Sequence, residues 1–553
     1  MIKPLKVVII GGVAGGMSAA TRLRRLKEDA QIIVFEMGQH VSYANCGLPY
    51  FVSNVISNRD ELLLQTPESL WSRFRIDVRV QTMVTSIAPE SRSVTVKNLV
   101  SGEESTESYD KLVISTGAKP RRLNIPGIER ALTLRNVLDA DAVKAAVETA
   151  SLKSAAIIGA GFIGVELAEN LSHMGIETTL IQRGASALSM FDAEMIEPMQ
   201  SVLEENGIKL RLLAEPVSVT NTEVVLASGE RVSAGLVFSA AGVEPENALA
   251  AAAGLEIGST GGLKVDHQQR TSDPNIFAAG DAVEKHGMLG GNHALVPLAN
   301  LANRHGRLAA DAIAGIQVES RGAQGTAIVG AFGFAAALTG LTEKAAIAQG
   351  LPHSVIHLHP GSHAGYFPGA KRISLKVLFD PNTGKLLGAQ ANGFDGVDKR
   401  IDVLSTAIYA GLRVDDLMDL ELAYAPQFGS AKDAVNQAGY VGNNVVSGMT
   451  PTVQWYDLAK KLENGAQLID VRTATEFAAG PIPGAINIDV NELRDNLERI
   501  AAANVIVYCA VGQRGHIATQ ILRGYGKEVR NLDGGYSTWL AGTSAMQRAY
   551  SYA

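Results

Sequence analysis

The chain has two cysteines, and the chemistry it can do starts from them. Cys46 lies in Ser42-Tyr43-Ala44-Asn45-Cys46-Gly47-Leu48-Pro49-Tyr50, SYANCGLPY, with no second thiol nearby in sequence. Cys509 opens Cys509-Ala510-Val511-Gly512-Gln513-Arg514, between a short apolar strand pattern and a helix pattern. A single thiol can attack a disulfide or persulfide, or cycle through sulfenic acid. It can also be inert, since free cysteine is among the most buried residue types. The run after Cys509 gathers backbone N–H groups round a sulfur at a helix N-terminus. That setting lowers a thiol pKa and cradles an anionic persulfide.

The elements that must position these thiols are βα turns. Lys6–Ile10 reads as a buried strand, and Gly11-Gly12-Val13-Ala14-Gly15-Gly16 as a glycine turn. A helix is expected over Met17–Leu26 and a second strand over Gln31–Glu36. The pattern recurs with Ala155–Ile158, the full GxGxxG of Gly159, Gly161 and Gly164, a helix over Val165–Met174 and a strand over Glu177–Ile181. Such glycines permit the tight turn and let the backbone approach a pyrophosphate at a helix N-terminus, so two βαβ units imply two dinucleotides. Val13 occupies the middle glycine position of the first turn, which weakens that motif, but Glu36 ends the next strand, where an acid binds ribose hydroxyls. The second unit ends in Gln182-Arg183 instead. Gln182 can bond a ribose and Arg183 can pair a 2′-phosphate, so NADH against NADPH stays open.

At 553 residues the chain is too long for one core, and about three to four domains are expected. Apolar residues make up 46%, charged residues 19%, and the 56 glycines suit an α/β protein with many tight turns. The net charge of −7, without a Lys/Arg run, argues against nucleic acid and against a polybasic membrane surface. Two cysteines make no disulfide framework, which points to a reducing compartment. The N-terminus superficially mimics a signal peptide, but its apolar core Val7–Ile10 is too short and glycines follow at once. No apolar run reaches the roughly 18 residues a membrane helix needs, and the expected location is cytoplasmic, with no membrane partner.

The glycine-turn duplication, Ser115-Thr116-Gly117-Ala118 and Ala278-Ala279-Gly280-Asp281 together resemble the two-dinucleotide disulfide oxidoreductase flavoproteins over about residues 5 to 445. The resemblance implies FAD on the first unit (Gly11, Gly12, Val13, Ala14, Gly15, Glu36, Thr116, Gly117), with Asp281 facing the ribityl chain. It implies NAD(P)H on the second (Gly159, Gly161, Ile163, Gly164, Glu166, Gln182), with Gly242 near the nicotinamide. Paired-cysteine members carry CxxxxC; SYANCGLPY instead is similar to the active-site stretch of coenzyme A-disulfide reductases and their persulfide-reducing relatives. In those, one cysteine beside the flavin forms a mixed disulfide with the substrate thiol. The resemblance places coenzyme A on Ser18, Arg22, Arg25, Ser42 and Asn45, with Lys432 contributing. Arg22 and Arg25 share a helix face and suit a pyrophosphate or 3′-phosphate, although basic residues late in a helix also serve the macrodipole. Tyr366 and Tyr424 match tyrosines that reach the active site of the other subunit, which implies a homodimer with shared sites; a phenol there can protonate a departing thiolate or hydrosulfide.

The last hundred residues resemble a single rhodanese domain, over about 453 to 543. The resemblance rests on Asp470-Val471-Arg472, Glu476, Pro481-Ile482-Pro483-Gly484-Ala485, the Cys509–Arg514 loop and Asn531-Leu532-Asp533-Gly534-Gly535. Arg514 stands five residues after Cys509, one fewer than in cysteine phosphatases of similar look, which favours sulfur over phosphate. Pro481 stands where rhodaneses usually show histidine. The expected architecture is α/β: two Rossmann-like FAD and NAD(P)H domains, an α+β dimerisation domain and a rhodanese-like domain. The expected ranges are FAD at 1–150 and 271–324, NAD(P)H at 151–270, interface at 325–445, link at 446–452 and rhodanese at 453–553. The expected activity is FAD-dependent NAD(P)H reduction of coenzyme A persulfide, polysulfide or coenzyme A disulfide, with Cys509 relaying sulfane sulfur. The alternatives are an NADH oxidase or peroxidase, a sulfur carrier serving a protein acceptor, and a redox sensor. His353, His357, His359 and His363 hint at metal by their spacing, but no cysteine or acid completes a set, and no metal site is expected.

Overall fold

A computed structural model describes residues 3–149 and 152–552; the boundary expected at 150/151 falls outside them. The chain divides into two compact units, Met1–Ile181 with Glu215–Gly325, and Gln182–Ala214 with Thr326–Ala553.

The first unit is built on a five-stranded parallel sheet in the order Ile276–Ala278, Lys111–Ile114, Lys6–Ile10, Gln31–Phe35, Ile76–Arg79. Its strands are continuous apolar runs because both faces are covered, Val7, Val8 and Ile9 being fully buried. Ile10, Phe35, Ile114 and Ala278 end their strands in register, so Gly11, Ser115-Thr116-Gly117 and Gly280-Asp281 meet along one carboxyl edge. That edge is where open α/β sheets bind ligands. Ser154–Ile158 lies between Glu177–Ile181 and Leu236–Ser239, again parallel, and ends in register at Gly159. Gly11 (φ +99°) and Gly159 (φ +108°) take a conformation closed to other residues. An added Cβ would fall 2.2 Å from Ser115 O and 2.3 Å from Ala240 O respectively. The helices after the turns run over Ala14–Leu26 and Phe162–His173, each starting three residues before the expected start. The glycine turn leads straight into the first helical turn, which leaves its amide groups at the sheet edge.

The second unit holds two sheets. One is antiparallel, in the order Ala327–Ala331, Phe334–Gly340, Leu386–Gly393, Ile373–Phe379, Ser354–Leu358. The other is parallel, in the order Thr452–Val453, Glu528–Leu532, Asn504–Tyr508, Gln467–Asp470, Ile486–Asn487. Cys509 follows the central strand of the latter directly and is buried in its core with Val507, Ala518 and Leu522. Among the described residues no helix is long and apolar enough to cross a membrane.

Candidate active site

Cys46 sits in a short 3-10 turn, Asn45–Gly47, that runs into the helix Leu48–Val52. Leu48 and Phe51 bury that helix, and Ser53 Oγ donates to Asn170 Oδ1 on the helix Phe162–His173, so the cysteine turn is tied to the helix of the second glycine motif. Ser42, just before the turn, holds φ +48°, a strained value for serine. Its amide donates to Gly12 O at 2.8 Å and its carbonyl accepts from Leu64 N at 3.0 Å, which fix the strain in place.

Cys46 is exposed, with its Sγ 3.8 Å from Asn45 Oδ1. It opens on a cavity of about 460 Å³ lined by Val13, Ala14, Ser18, Arg25, Ser42 and Asn45, and also by Tyr43, Gln65, Arg73 and Asn303. Ser18 Oγ donates to Asn303 Oδ1 at 2.6 Å. The guanidinium of Arg25 lies 5.2 Å from the centre of the Phe74 ring. Arg22 is engaged elsewhere. Its Nε donates to Asp311 Oδ1 at 2.6 Å, and it is not among the lining residues. Asp311 is buried, so the ion pair offsets a desolvation that Arg22 would have to abandon to reach the cavity. Arg73 is a second basic residue of the lining; nothing in its sequence neighbourhood marks it. If Arg25 holds a phosphate of the substrate, Arg25→Ala should raise the KM for coenzyme A disulfide about tenfold at low salt and less at high salt. Steady-state kinetics at two ionic strengths check this, and an unchanged KM places the phosphates elsewhere.

Although Cys46 opens on the cavity, the protein walls round its sulfur exclude part of its water and push the thiol up, and the carboxylates of Glu166 and Asp281 add to the shift. Glu166 is itself pushed up to about 7, by burial and then by Glu169. A raised thiol pKa means that attack on a disulfide speeds up as pH rises through it. Glu166→Gln removes one of the two negative neighbours. The midpoint of Cys46 alkylation by iodoacetamide should then fall by on the order of half a pH unit. A midpoint that stays or rises, read from the mass of the Cys46 peptide, overturns the assignment.

The dinucleotide positions fit their groups. Glu36 accepts from Gly12 N and Gly38 N at 2.7 Å each, which fixes its carboxylate beside the first turn. Val13 precedes the first helical residue and caps with no side chain, so the helix N-terminus stays open. A Cβ added at Gly161, Gly117 or Gly242 would meet nothing within 4 Å, so the backbone there is bare to an incoming ligand. Thr116 Oγ1 donates to Glu246 O at 2.7 Å. Asp281 is half-buried; burial raises its pKa and Lys285 opposes. Lys285, which the motifs did not mark, donates to Val283 O at 2.7 Å and is pushed down to about 8 by burial. Ile163 is 42% exposed. Gln182 is half-buried and Arg183 exposed.

In the second unit Tyr366 and Tyr424 come together, hydroxyl to hydroxyl at 2.7 Å, and are 76% and 47% exposed. Their hydrogen bond raises the Tyr366 pKa. Lys432 is exposed in the loop before the helix Ala434–Val446. Cys509 accepts from Gly512 N at 3.2 Å. Gly512 precedes the helix Gln513–Gly524, whose first residues are Gln513 and Arg514. Arg514 holds Glu476 with two bonds of 2.7 Å, and this pair depresses the Glu476 carboxyl to about 2. Around Pro481, Ile482 N donates to Tyr508 Oη at 3.0 Å, and Arg472 donates to Gly480 O at 2.9 Å.

Among the described residues the one acid or histidine group close enough to hold a metal is Asp192, Glu194 and Glu343. The Lys376 ammonium lies among these three carboxylates, at 2.9, 2.5 and 2.6 Å.

Residues 5–306 match the pyridine nucleotide-disulphide oxidoreductase model, 326–435 its dimerisation domain and 454–542 a rhodanese-like domain. A coenzyme A disulfide reductase of Staphylococcus epidermidis is 34% identical over 79% of this chain and 99% of its own. The reduced CoADR-RHD of Bacillus anthracis is 42% identical, with a TM-score of 0.96 over 98% of each chain. A NAD-dependent persulfide reductase from A. fulgidus is 34% identical, with a TM-score of 0.90 over 97% of this chain and all of its own. With two glycine turns at sheet edges, a single exposed thiol and these matches, the chain belongs to the pyridine nucleotide-disulphide oxidoreductase family, as an FAD- and NAD(P)H-dependent oxidoreductase that also contains a rhodanese-like domain.

Proposed function

We propose that this protein reduces coenzyme A persulfide, polysulfide and coenzyme A disulfide with NAD(P)H, through Cys46. The observation that carries the reading is an exposed cysteine facing a cavity with basic residues and no second cysteine among its lining residues. The partner sulfur therefore arrives on the substrate. FAD is assigned to 1–150 and 271–324, NAD(P)H to 151–270, the interface to 325–445 and sulfur binding to 453–553.

The Cys46 thiolate attacks a sulfur of the substrate; a new S–S bond forms and the old one breaks. Coenzyme A thiol or hydrosulfide leaves with the electron pair and takes a proton. FAD, when bound, would accept a hydride from NAD(P)H and supply the two electrons that break this new S–S bond, returning Cys46 to the thiol and releasing the bound sulfur as a second coenzyme A thiol or as hydrosulfide. Arg25, Ser18 and Asn45 orient the substrate. In a homodimer, Tyr366 and Tyr424 of one copy donate the proton at the Cys46 of the other. Cys509 takes sulfane sulfur as a persulfide held by the Gly512 amide, and presents it for reduction.

The test is anaerobic NADH oxidation with each of the three substrates, with sulfide assayed in parallel. Sulfide released one-for-one with NADH from coenzyme A persulfide supports the reading. NADH consumption only after oxygen is admitted overturns it in favour of an oxidase.

A further inference from the structure

Two members of the histidine group make hydrogen bonds to residues of the rhodanese-like domain. His357 lies in the strand Ser354–Leu358 and His359 just beyond it. Two residues apart on an extended segment, they project from the same side. His357 Nδ1 meets Asp533 Oδ2 at 2.6 Å, and its Nε2 meets Glu194 Oε1 at 3.1 Å. His359 Nε2 meets Thr538 Oγ1 at 2.8 Å, and its Nδ1 meets Ser374 Oγ at 3.0 Å. The two imidazoles therefore grip Asp533, just before the Gly534-Gly535 turn, and Thr538, in the first turn of the helix Gly535–Tyr552.

The other side of that turn carries the sulfur loop. Tyr536 N donates to Cys509 O at 2.8 Å and Ser537 N donates to Ala510 O at 3.0 Å. Gly534 and Gly535 both hold left-handed φ, +65° and +63°. A Cβ at Gly534 would fall 2.7 Å from His357 Cβ, and one at Gly535 would fall 2.4 Å from Cys509 O. The turn is thus thin enough for His357 to press on one face and the backbone of the cysteine loop on the other. Two glycines in succession lose more chain entropy on ordering than any other pair, so the turn needs outside contacts to hold its shape.

We infer that His357 and His359 are positioning residues for Cys509: they clamp the Asp533–Thr538 turn on which the sulfur-binding loop is built. This rests on the reading of Cys509 as a sulfane-sulfur carrier. The clamp joins the domain matched as dimerisation to the rhodanese-like domain, so the former contributes contacts to the turn behind the sulfur loop. The ion pairs agree with this. Against the burial that would lower it, Asp533 and Glu194 push His357 up to about 9, so it grips as a cation. Burial of the ring flanks, with His357 and Arg372 nearby, pushes His359 down to about 3, so it grips as a neutral ring. Gln454 Nε2 also donates to Asp533 Oδ2, at 3.2 Å.

The test uses the full chain, with thiosulfate as sulfur donor and cyanide as acceptor. Cys509 takes the outer sulfur as the S–S bond of thiosulfate breaks and sulfite leaves with the electron pair. Cyanide then removes that sulfur as thiocyanate and restores the thiolate. Thiocyanate formation is measured for wild type, Cys509→Ser, His357→Leu, His359→Leu and His359→Gln. Cys509→Ser should be inactive. The two Leu variants should lose about tenfold in kcat, with the KM for thiosulfate within threefold. His359→Gln, whose amide can still reach Thr538, should stay within threefold of wild type. If His357→Leu does not fold, the comparison of His359→Leu with His359→Gln decides. Wild-type kcat in the Leu variants beside a dead Cys509→Ser overturns the clamp alone. So do losses equal in His359→Gln and His359→Leu. An active Cys509→Ser, or no thiocyanate from wild type, overturns the sulfur-carrier reading and the clamp with it.

Discussion

Cys46→Ser should reduce NAD(P)H-driven turnover of coenzyme A disulfide and of coenzyme A persulfide by about 10³-fold or more. The size of the effect follows from the chemistry. A serine hydroxyl remains protonated at neutral pH and forms no stable bond to sulfur, so the mixed disulfide has no substitute route. The chain contains no thiol except Cys509 to take over. Folding should survive, because Cys46 is exposed and its sulfur makes one long contact, to Asn45 at 3.8 Å. Flavin content and the melting curve of the variant should therefore match wild type. Turnover with coenzyme A disulfide separates the two cysteines, since that substrate carries no sulfane sulfur and Cys509→Ser should process it normally. Retention of more than about a tenth of wild-type sulfide release by Cys46→Ser would show that electrons reach the substrate without this sulfur.

What was legible in the sequence is what lies close together along it. Gly11 to Gly15 and Gly159 to Gly164 announce their turns because a strand, a glycine run and a helix follow one another within about twenty residues. SYANCGLPY and the Cys509 loop are local in the same way. Arg22 shows the limit. Its helix face was read correctly as basic, but its partner Asp311 is 289 residues away and no local pattern reveals it. Arg73 and Asn303 reach the cavity from two further segments for the same reason. The histidines show a second limit. Their spacing carries a hint of metal and no sign of their partners, since the acid that meets His357 lies 176 residues further on. Helix starts read from the sequence fall late because the last three residues of each glycine turn, from Ala14 and from Phe162, already belong to the first turn of the helix.

The buried charges of the second unit were invisible to composition, and they give the largest stability effect. Lys376 is 1% exposed, with Asp192, Glu194 and Glu343 round its ammonium. Each acid has a further partner: Gln390 Nε2 for Asp192, His357 for Glu194, the Tyr456 hydroxyl for Glu343. Lys376→Met removes the cation and leaves three carboxylates converging in a low-dielectric site. Breaking a buried ion pair in this way costs about 3–5 kcal/mol. For a unit of this size the midpoint of thermal unfolding should fall by on the order of 10 °C. The pH dependence fixes the cause. In wild type, against the burial that would raise it, Lys376 and His357 hold Glu194 well below the usual carboxylate range. Its contribution is therefore present above its unfolded pKa, near 4.3, and is lost only as pH falls through the depressed folded value. Without the ammonium the three carboxylates face one another unpaired, and keeping them ionised in the folded state costs stability. The sign then reverses, and the variant loses stability as pH rises through the carboxylate range. The gap between wild type and Lys376→Met should be widest near pH 8 and narrow toward pH 5, and adding Glu343→Gln should recover part of it. A gap below about 1 kcal/mol at pH 8, or one that does not change with pH, would mean that these acids are already neutral in the folded protein.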